Sequence, residues 1–378
     1  MSVPFGERGG ALRGALDLVC GRLPRFVFGG SVGRLVPVFH FHDERRDTLE
    51  PVFRYLSENG YRTVDADELS AVVRRTREPG HREVALCFDD AWATVWTDAA
   101  PLLREFGLRA IVYPIPGRMA DAAGVRPVQP GTVAQGSPFM TWPELKSLSA
   151  EGTIDVQTHT WSHSRIFTSA TVLDFVQPAF AQQPLLNRPL LSPPGADLRF
   201  LHATELGAPL YELRSRMSDG RRAHVSIEAH EACVAFVQAN GGAAFFDQRH
   251  WRPRLGVVAA PYLRTAARME TDDEQRRAVE LELDRSRSEL QARLGTTIRH
   301  VCLPWGVSGA VATEALRRLG FESAIANRWS GRFAVAPGDD PFWLKRLPHR
   351  YVTALPGRGR QTLVARLTSR LRPASAQP

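Results

Sequence analysis

The stretch VALCFDD, Val84 to Asp90, decides how the chain is read. Five apolar residues in a row, with no polar alternation, mark a strand buried on both faces, as in parallel sheets. The run ends in two adjacent carboxylates, Asp89 and Asp90. Neighbouring acids repel, and at the end of a buried strand each loses hydration, so each needs its own compensation.

Working outward, the same pattern recurs: VPVFHFH (36–42), AIVYPIP (110–116), IDVQTHT (154–160), HVCLPWG (300–306), SAIAN (323–327) and, more weakly, FWLKRLPHR (342–350). Helical stretches lie between them. DTLEPVFRYLSENG (47–60) closes on Asn59-Gly60, TVWTDAAPLLREFG (94–107) on Gly107, and SGAVATEALRRLG (308–320) on Gly320. TWPELKSLSAEG (141–152) pairs Thr141 with Glu144 in a capping-box pattern. Strand and helix in alternation predict an α/β fold with parallel strands. Polar residues collect where the strands end: His40 and His42, Asp89 and Asp90, His159, then Pro304-Trp305. That is the arrangement of a (β/α) barrel, and no G-x-G-x-x-G points to an open dinucleotide-binding sheet. Residues 168–262 break the rhythm and read as a locally folded insertion over the barrel mouth. TDDEQRRAVELELDRSRSELQARLG (271–295) then forms a helix of about six turns.

With 378 residues, 43% hydrophobic and 23% charged, the composition is that of a globular protein with a substantial core. No apolar run approaches a membrane-spanning length, and the N-terminus lacks the apolar core of a signal peptide. Cys20, Cys87, Cys233 and Cys302 are far apart, which argues against a cysteine metal cluster or a disulfide framework. Cytoplasmic residence is the expectation. The net charge of +8 lies at the ends, +3 within residues 1–34 and +5 within 356–378. A basic body for nucleic acid is therefore not expected. The tail spaces Leu363, Leu367 and Leu371 beside Arg366 and Arg370. It suits peripheral contact with an anionic membrane, although a solvated terminal helix is the plainer reading. Three regions follow: a basic extension 1–34, a barrel 35–355 interrupted at 168–262, and a basic tail 356–378.

In QTHTWSH, His159 and His163 are four apart and can grip one ion. The spacing alone is weak, but His159 ends a strand at the level of Asp90. A carboxylate with two imidazoles is a facial set for Zn²⁺ or another divalent transition metal, with positions left open for water and substrate.

CFDD, HTWSH and LPWG in that order resemble the polysaccharide deacetylase (NodB-homology, carbohydrate esterase family 4) superfamily, over about 35–350 without the insertion. The resemblance implies a distorted (β/α)₇ barrel and metal-dependent removal of an N-acetyl or similar group from an amino-sugar conjugate. Carried over, Asp89 is the general base, and Asp90, His159 and His163 hold one divalent ion. The backbone N–H of Trp305, set by Pro304, faces the oxyanion. His349 is the first candidate for the general acid and His42 the second. His40 and His42 are read as facing opposite sides of their strand, with His42 toward the site. Trp161 and Trp305 are the better candidates for stacking on a sugar, and two or more of Trp92, Trp96, Trp142 and Trp161 are expected to pack against helices. Two departures stand out: Ala91 where the family has Gly after the acids, and Cys302 where it often has Arg. Arg346 or Arg350 is expected to replace that arginine beside Asp89 or substrate. Hydrolysis of a non-sugar or cyclic amide, or a catalytically inactive carbohydrate-binding role, are the alternatives. Oligomeric state is not legible.

Overall fold

The computed structural model describes residues 21–128, 136–263, 268–327 and 332–365. The readings of the N-terminal extension up to residue 20, Cys20 included, and of the tail from residue 366 lie outside the described residues.

Among the described residues, seven parallel strands make the circuit of the barrel unit: β1 Val38–Phe41, β2 Glu83–Asp90, β3 Ala110–Pro114, β4 Ile154–Val156, β5 His300–Cys302, β6 Ser323–Ile325 and β7 Leu347–Pro348, while the short strand Arg62–Thr63 pairs parallel with the start of β2 off this path. Each of the seven falls within one of the seven apolar runs or one residue of it. One sheet runs in the order β7-β1-β2-β3-β4, and β5 pairs with β6. Two isolated parallel bridges complete the circuit, Thr158 with Val301 and Ile325 with Leu344. The strands thus follow one another round a (β/α) barrel, distorted where pairing shrinks to single bridges.

Packing explains the local choices. Every residue of β2 is buried, because β1 and β3 flank it and side chains cover both faces. Helix α1, Arg46–Glu58, buries Leu49, Val52, Phe53 and Leu56, a stripe at i, i+3, i+4 and i+7. Phe41 of β1 stacks on Phe88 of β2 at 4.8 Å between ring centres. Burying side chains of this size stabilises by about 1.5–3 kcal/mol each. Helix α2, Ala66–Val73, opens on an Asp65/Glu68 capping box. Helix α3, Ala100–Glu105, follows a π-helical turn over Val95–Ala99. Helix α4, Trp142–Ala150, starts where the Glu144 carboxylate accepts the Thr141 N–H at 2.8 Å.

A second compact unit comprises residues 162–285 and 307–319, and the barrel unit takes the rest. The insertion expected at about 168–262 lies inside this unit. The unit starts earlier because Arg165–Phe167 pairs antiparallel with Leu213–Ser215. It ends later because Ala223–His224 pairs with Arg268–Met269, and buried Arg216 makes two hydrogen bonds to Glu270, at 2.7 and 2.9 Å. The unit has its own core, in which α5, Ile227–Ala239, and α6, Trp251–Leu263, bury Cys233, Val237, Trp251 and Leu255. The helix α7, Asp272–Leu294, opens on the expected Thr271/Glu274 capping box and stops at Gly295, φ +69°. Helix α8, Ala310–Arg318, belongs to the second unit rather than to the barrel. Asp219 accepts the Ala310 N–H and Met217 the Gly309 N–H, each at 2.7 Å.

Candidate active site

The chain turns sharply as β2 ends. Asp90 (φ +66°) and Ala91 (φ +53°) both take the left-handed conformation, which costs non-glycine residues about 1–2 kcal/mol each. Two hydrogen bonds hold the turn: Met140 N–H to the Ala91 carbonyl and Ala93 N–H to the Pro138 carbonyl, each 2.8 Å. Adjacent residues of a strand project to opposite sides, and this reversal adds to the divergence, so the two carboxylates meet different partners. Thr160, His163 and Trp305 are also left-handed. Such strain in non-glycine residues gathers at functional sites.

Asp89 is 2% exposed and gripped by the fork of Arg346, with Nη1 donating to Oδ1 at 2.6 Å and Nη2 to Oδ2. Burial alone would raise its pKa. Arg346 and, after it, His159 outweigh burial and hold the carboxyl well below the usual carboxylate range. Arg350 lies over the Tyr351 ring instead. His42 Nε2 stands 3.5 Å from Asp89 Oδ2.

His40 and His42 do not face opposite sides. Their rings meet edge to face at 5.4 Å, because residues two apart in a strand share a face. His40 is held neutral: burial first, then Arg346, pushes its pKa well below the ordinary value. His349 stacks on Phe41, and its Nδ1 lies 3.1 Å from Glu44 Oε1. Glu44 also accepts the His42 N–H, at 2.5 Å. Burial would raise the Glu44 pKa, but the bonds from His349 and the His42 N–H bring it below the ordinary value.

Asp90 Oδ2 accepts the Trp92 indole N–H at 2.9 Å, and Oδ1 lies 3.4 Å from His159 Nε2. The Nδ1–H of His159 donates to the Cys302 carbonyl, which fixes the ring and leaves Nε2 on the Asp90 side. Asp90, His159 and His163 are all buried, and their ligand atoms lie within 4.8 Å of one another. Burial works against a charged imidazole at His159. Cys302, Asp89 and Asp90 reverse this and push its pKa well above the ordinary value. The position therefore favours positive charge, and the donor set, one carboxylate and two imidazoles with a backbone-anchored ring, fits a divalent metal.

Pro304 is buried, and Trp305 occupies a tight turn with φ +55° that the Gly306 N–H closes onto the Leu303 carbonyl at 2.8 Å. The Trp161 carbonyl accepts the Gly117 N–H at 2.9 Å. The Cys302 side chain is fully buried, and of Arg346 and Arg350 it is Arg346 that pairs with Asp89. Glu44 escaped the sequence reading, and Trp92, grouped there with the packing tryptophans, proves to be a partner of Asp90. Trp92 had a signal: an indole N–H near buried acids seeks an acceptor.

Residues 76–179 match the family model of polysaccharide deacetylase. A poly-beta-1,6-N-acetyl-D-glucosamine N-deacetylase of Escherichia coli (strain K12) is 28% identical over 133 residues, 35% of this chain and 20% of that protein's length. The structure of the BpsB deacetylase domain from Bordetella bronchiseptica aligns with a TM-score of 0.52 and 17% identity, over 84% of this chain and 96% of that one. At that identity the likeness is one of fold. The matched residues hold Asp89, Asp90, His159 and His163 at the strand ends, so over 76–179 the chain is similar to polysaccharide deacetylases.

Proposed function

We propose that the protein is a metal-dependent N-deacetylase acting on an N-acetylated amino sugar within a glycan or glycoconjugate. The observation that carries the reading is the division of labour between adjacent acids, Asp89 with Arg346 and Asp90 with His159 and His163. A site that only held an ion would have no use for a second buried carboxylate beside the first. The family match and the E. coli relative support the substrate class, with glucosamine the first sugar to try.

Asp90, His159 and His163 would hold the ion, Zn²⁺ before other divalent metals. When bound, such an ion polarises an acyl oxygen and acidifies water. Asp89 is held ionised by Arg346, which makes it a weak base, and it is assigned to accept the proton of the attacking water. Arg346 fixes both Asp89 oxygens, which sets the direction from which the proton is taken. The Trp305 N–H is assigned to the developing oxyanion. His349, oriented through Nδ1 by Glu44, is assigned to protonate the leaving amine, with His42 next to Asp89 as its alternate.

The test uses purified protein with N-acetylglucosamine oligomers, β-1,6-linked ones first, and reads acetate release. Asp89→Asn is expected to keep about one metal ion per chain while kcat falls by about 10²–10⁴-fold. Unchanged turnover in that variant would remove Asp89 from the mechanism. Acetate from simple amides but from no amino sugar would move the activity to another substrate class.

A further inference from the structure

The barrel unit holds a recess on the side where β1 starts, away from the two acids. It is lined by residues of the segment that leads into β1, by the chain that follows α2, and by the stretch 332–337. Strand β1 starts on this side, at Val38, and ends at Phe41 beside His42. Recess and strand-end site therefore lie at opposite ends of the sheet. The volume is about 920 Å³, ample for a small molecule.

Its charge is one-sided. Arg25, Arg34, Arg75 and Arg332 line it, all exposed, against a single acid, Glu78. Arg34 is paired with Glu78 at 2.6 and 2.7 Å. Among the described residues, Arg25, Arg75 and Arg332 form no ion pair. Guanidinium groups crowded round one hollow repel one another unless an anion joins them, and their planar forks match phosphate oxygens.

The backbone accommodates this crowding. Arg75 takes φ +59°, uncommon for a residue with a side chain. A Cβ on Gly338 would come within 2.4 Å of the Arg75 guanidinium, so glycine there leaves room for it. Leu23, Val32 and Leu35 add an apolar wall for the uncharged part of a ligand.

We propose that this recess binds a ligand carrying a diphosphate or a comparable multiply charged phosphate group, separately from the strand-end site. Two sources share that chemistry, a soluble phosphorylated metabolite and the headgroup of an anionic lipid. Titration calorimetry of the intact protein with pyrophosphate probes the first. Co-sedimentation with phosphatidylcholine vesicles, with and without phosphatidic acid, probes the second. Arg75→Gln should weaken whichever binding occurs by about tenfold, the loss of one charge-assisted contact. Glu78→Gln should strengthen it severalfold, because it removes the one opposing charge. Gly338→Ala, which changes no charge, should weaken it by displacing Arg75. Deacetylation by these variants should equal that of the parent. Binding of pyrophosphate alone assigns the recess to a soluble ligand, and binding of the acidic vesicles alone assigns it to a lipid headgroup. No binding to either probe overturns the proposal, as does binding that ignores both Arg75→Gln and Glu78→Gln.

Discussion

Among the described residues, two groups made of acids and histidines alone come close enough to share an ion, and they differ in burial, partners and backbone strain. Asp90, His159 and His163 lie where β2 and β4 end, all buried. Asp67, His300 and Glu322 gather where β5 and β6 begin, with Asp67 exposed and Glu322 half-buried. In the second group arginines already serve the acids: Arg299 reaches Asp67 at 2.9 Å and Glu322 at 3.6 Å, and Arg74 also pairs with Glu322. Both ring nitrogens of His300 are engaged, Nδ1 with Ser323 at 2.8 Å and Nε2 with Asp67 at 2.9 Å. In the first group His159 gives Nδ1 to a backbone carbonyl and turns Nε2 toward a carboxylate. Donor spacing alone therefore does not make a metal site. Burial and the choice of neutralising partner separate the two.

The largest effect expected from this contrast is on metal content. His159→Ala should drop bound metal from about one ion per chain to near none, read by elemental analysis of purified protein. His300→Ala should leave it at about one. Equal loss in both variants would abolish the distinction.

The two groups also differ in strain. Asp90, Ala91 and His163 have positive φ, whereas Asp67, His300 and Glu322 do not. Ala91→Gly should relieve part of that cost and raise stability by on the order of 0.5–1 kcal/mol, the glycine's greater freedom when unfolded offsetting the rest. Thermal unfolding measures it, and a fall in Tm would mean that the methyl group's packing outweighs the backbone.

How much of this was legible in the sequence follows from which forces are local. Six of the circuit's seven strands were, since each falls on an apolar run, the seventh, β7, only weakly, and so were the helix starts at Thr141 and Thr271, set by residues three apart. The meeting of Asp90 with His159 could be placed by strand level alone. The Arg346 grip on Asp89 could be narrowed only to two arginines, because 257 residues separate the partners. The limits of the second unit have no local signal for a similar reason: they depend on an antiparallel pair from Arg165 to Ser215 and on Arg216 reaching Glu270, which no local pattern announces. The shared face of His40 and His42 was legible from the two-residue strand period, and the opposite assignment misapplied it.

The smallest effect concerns pH and falls on the exposed group. The His300 hydrogen bond, reinforced by the charges of His300 and Arg299, lowers the Asp67 pKa to about 2, partial burial opposing. A carboxyl whose folded pKa is depressed contributes stability that is fully present above its unfolded value, about 3.9, and is lost as pH falls through the folded one. Asp67→Asn should therefore destabilise at neutral pH and leave stability nearly unchanged at about pH 2. The window is the interval between those two values, and the sign is loss on acidification. Because Asp67 is 57% exposed, solvent screens the interaction, and the neutral-pH cost should be only a few tenths of a kcal/mol. Urea titrations of parent and variant across that range provide the measurement. A difference that grew toward low pH would mean that Asp67 is stabilised in its protonated form, which would remove the ion pairing that sets this group apart from the buried one.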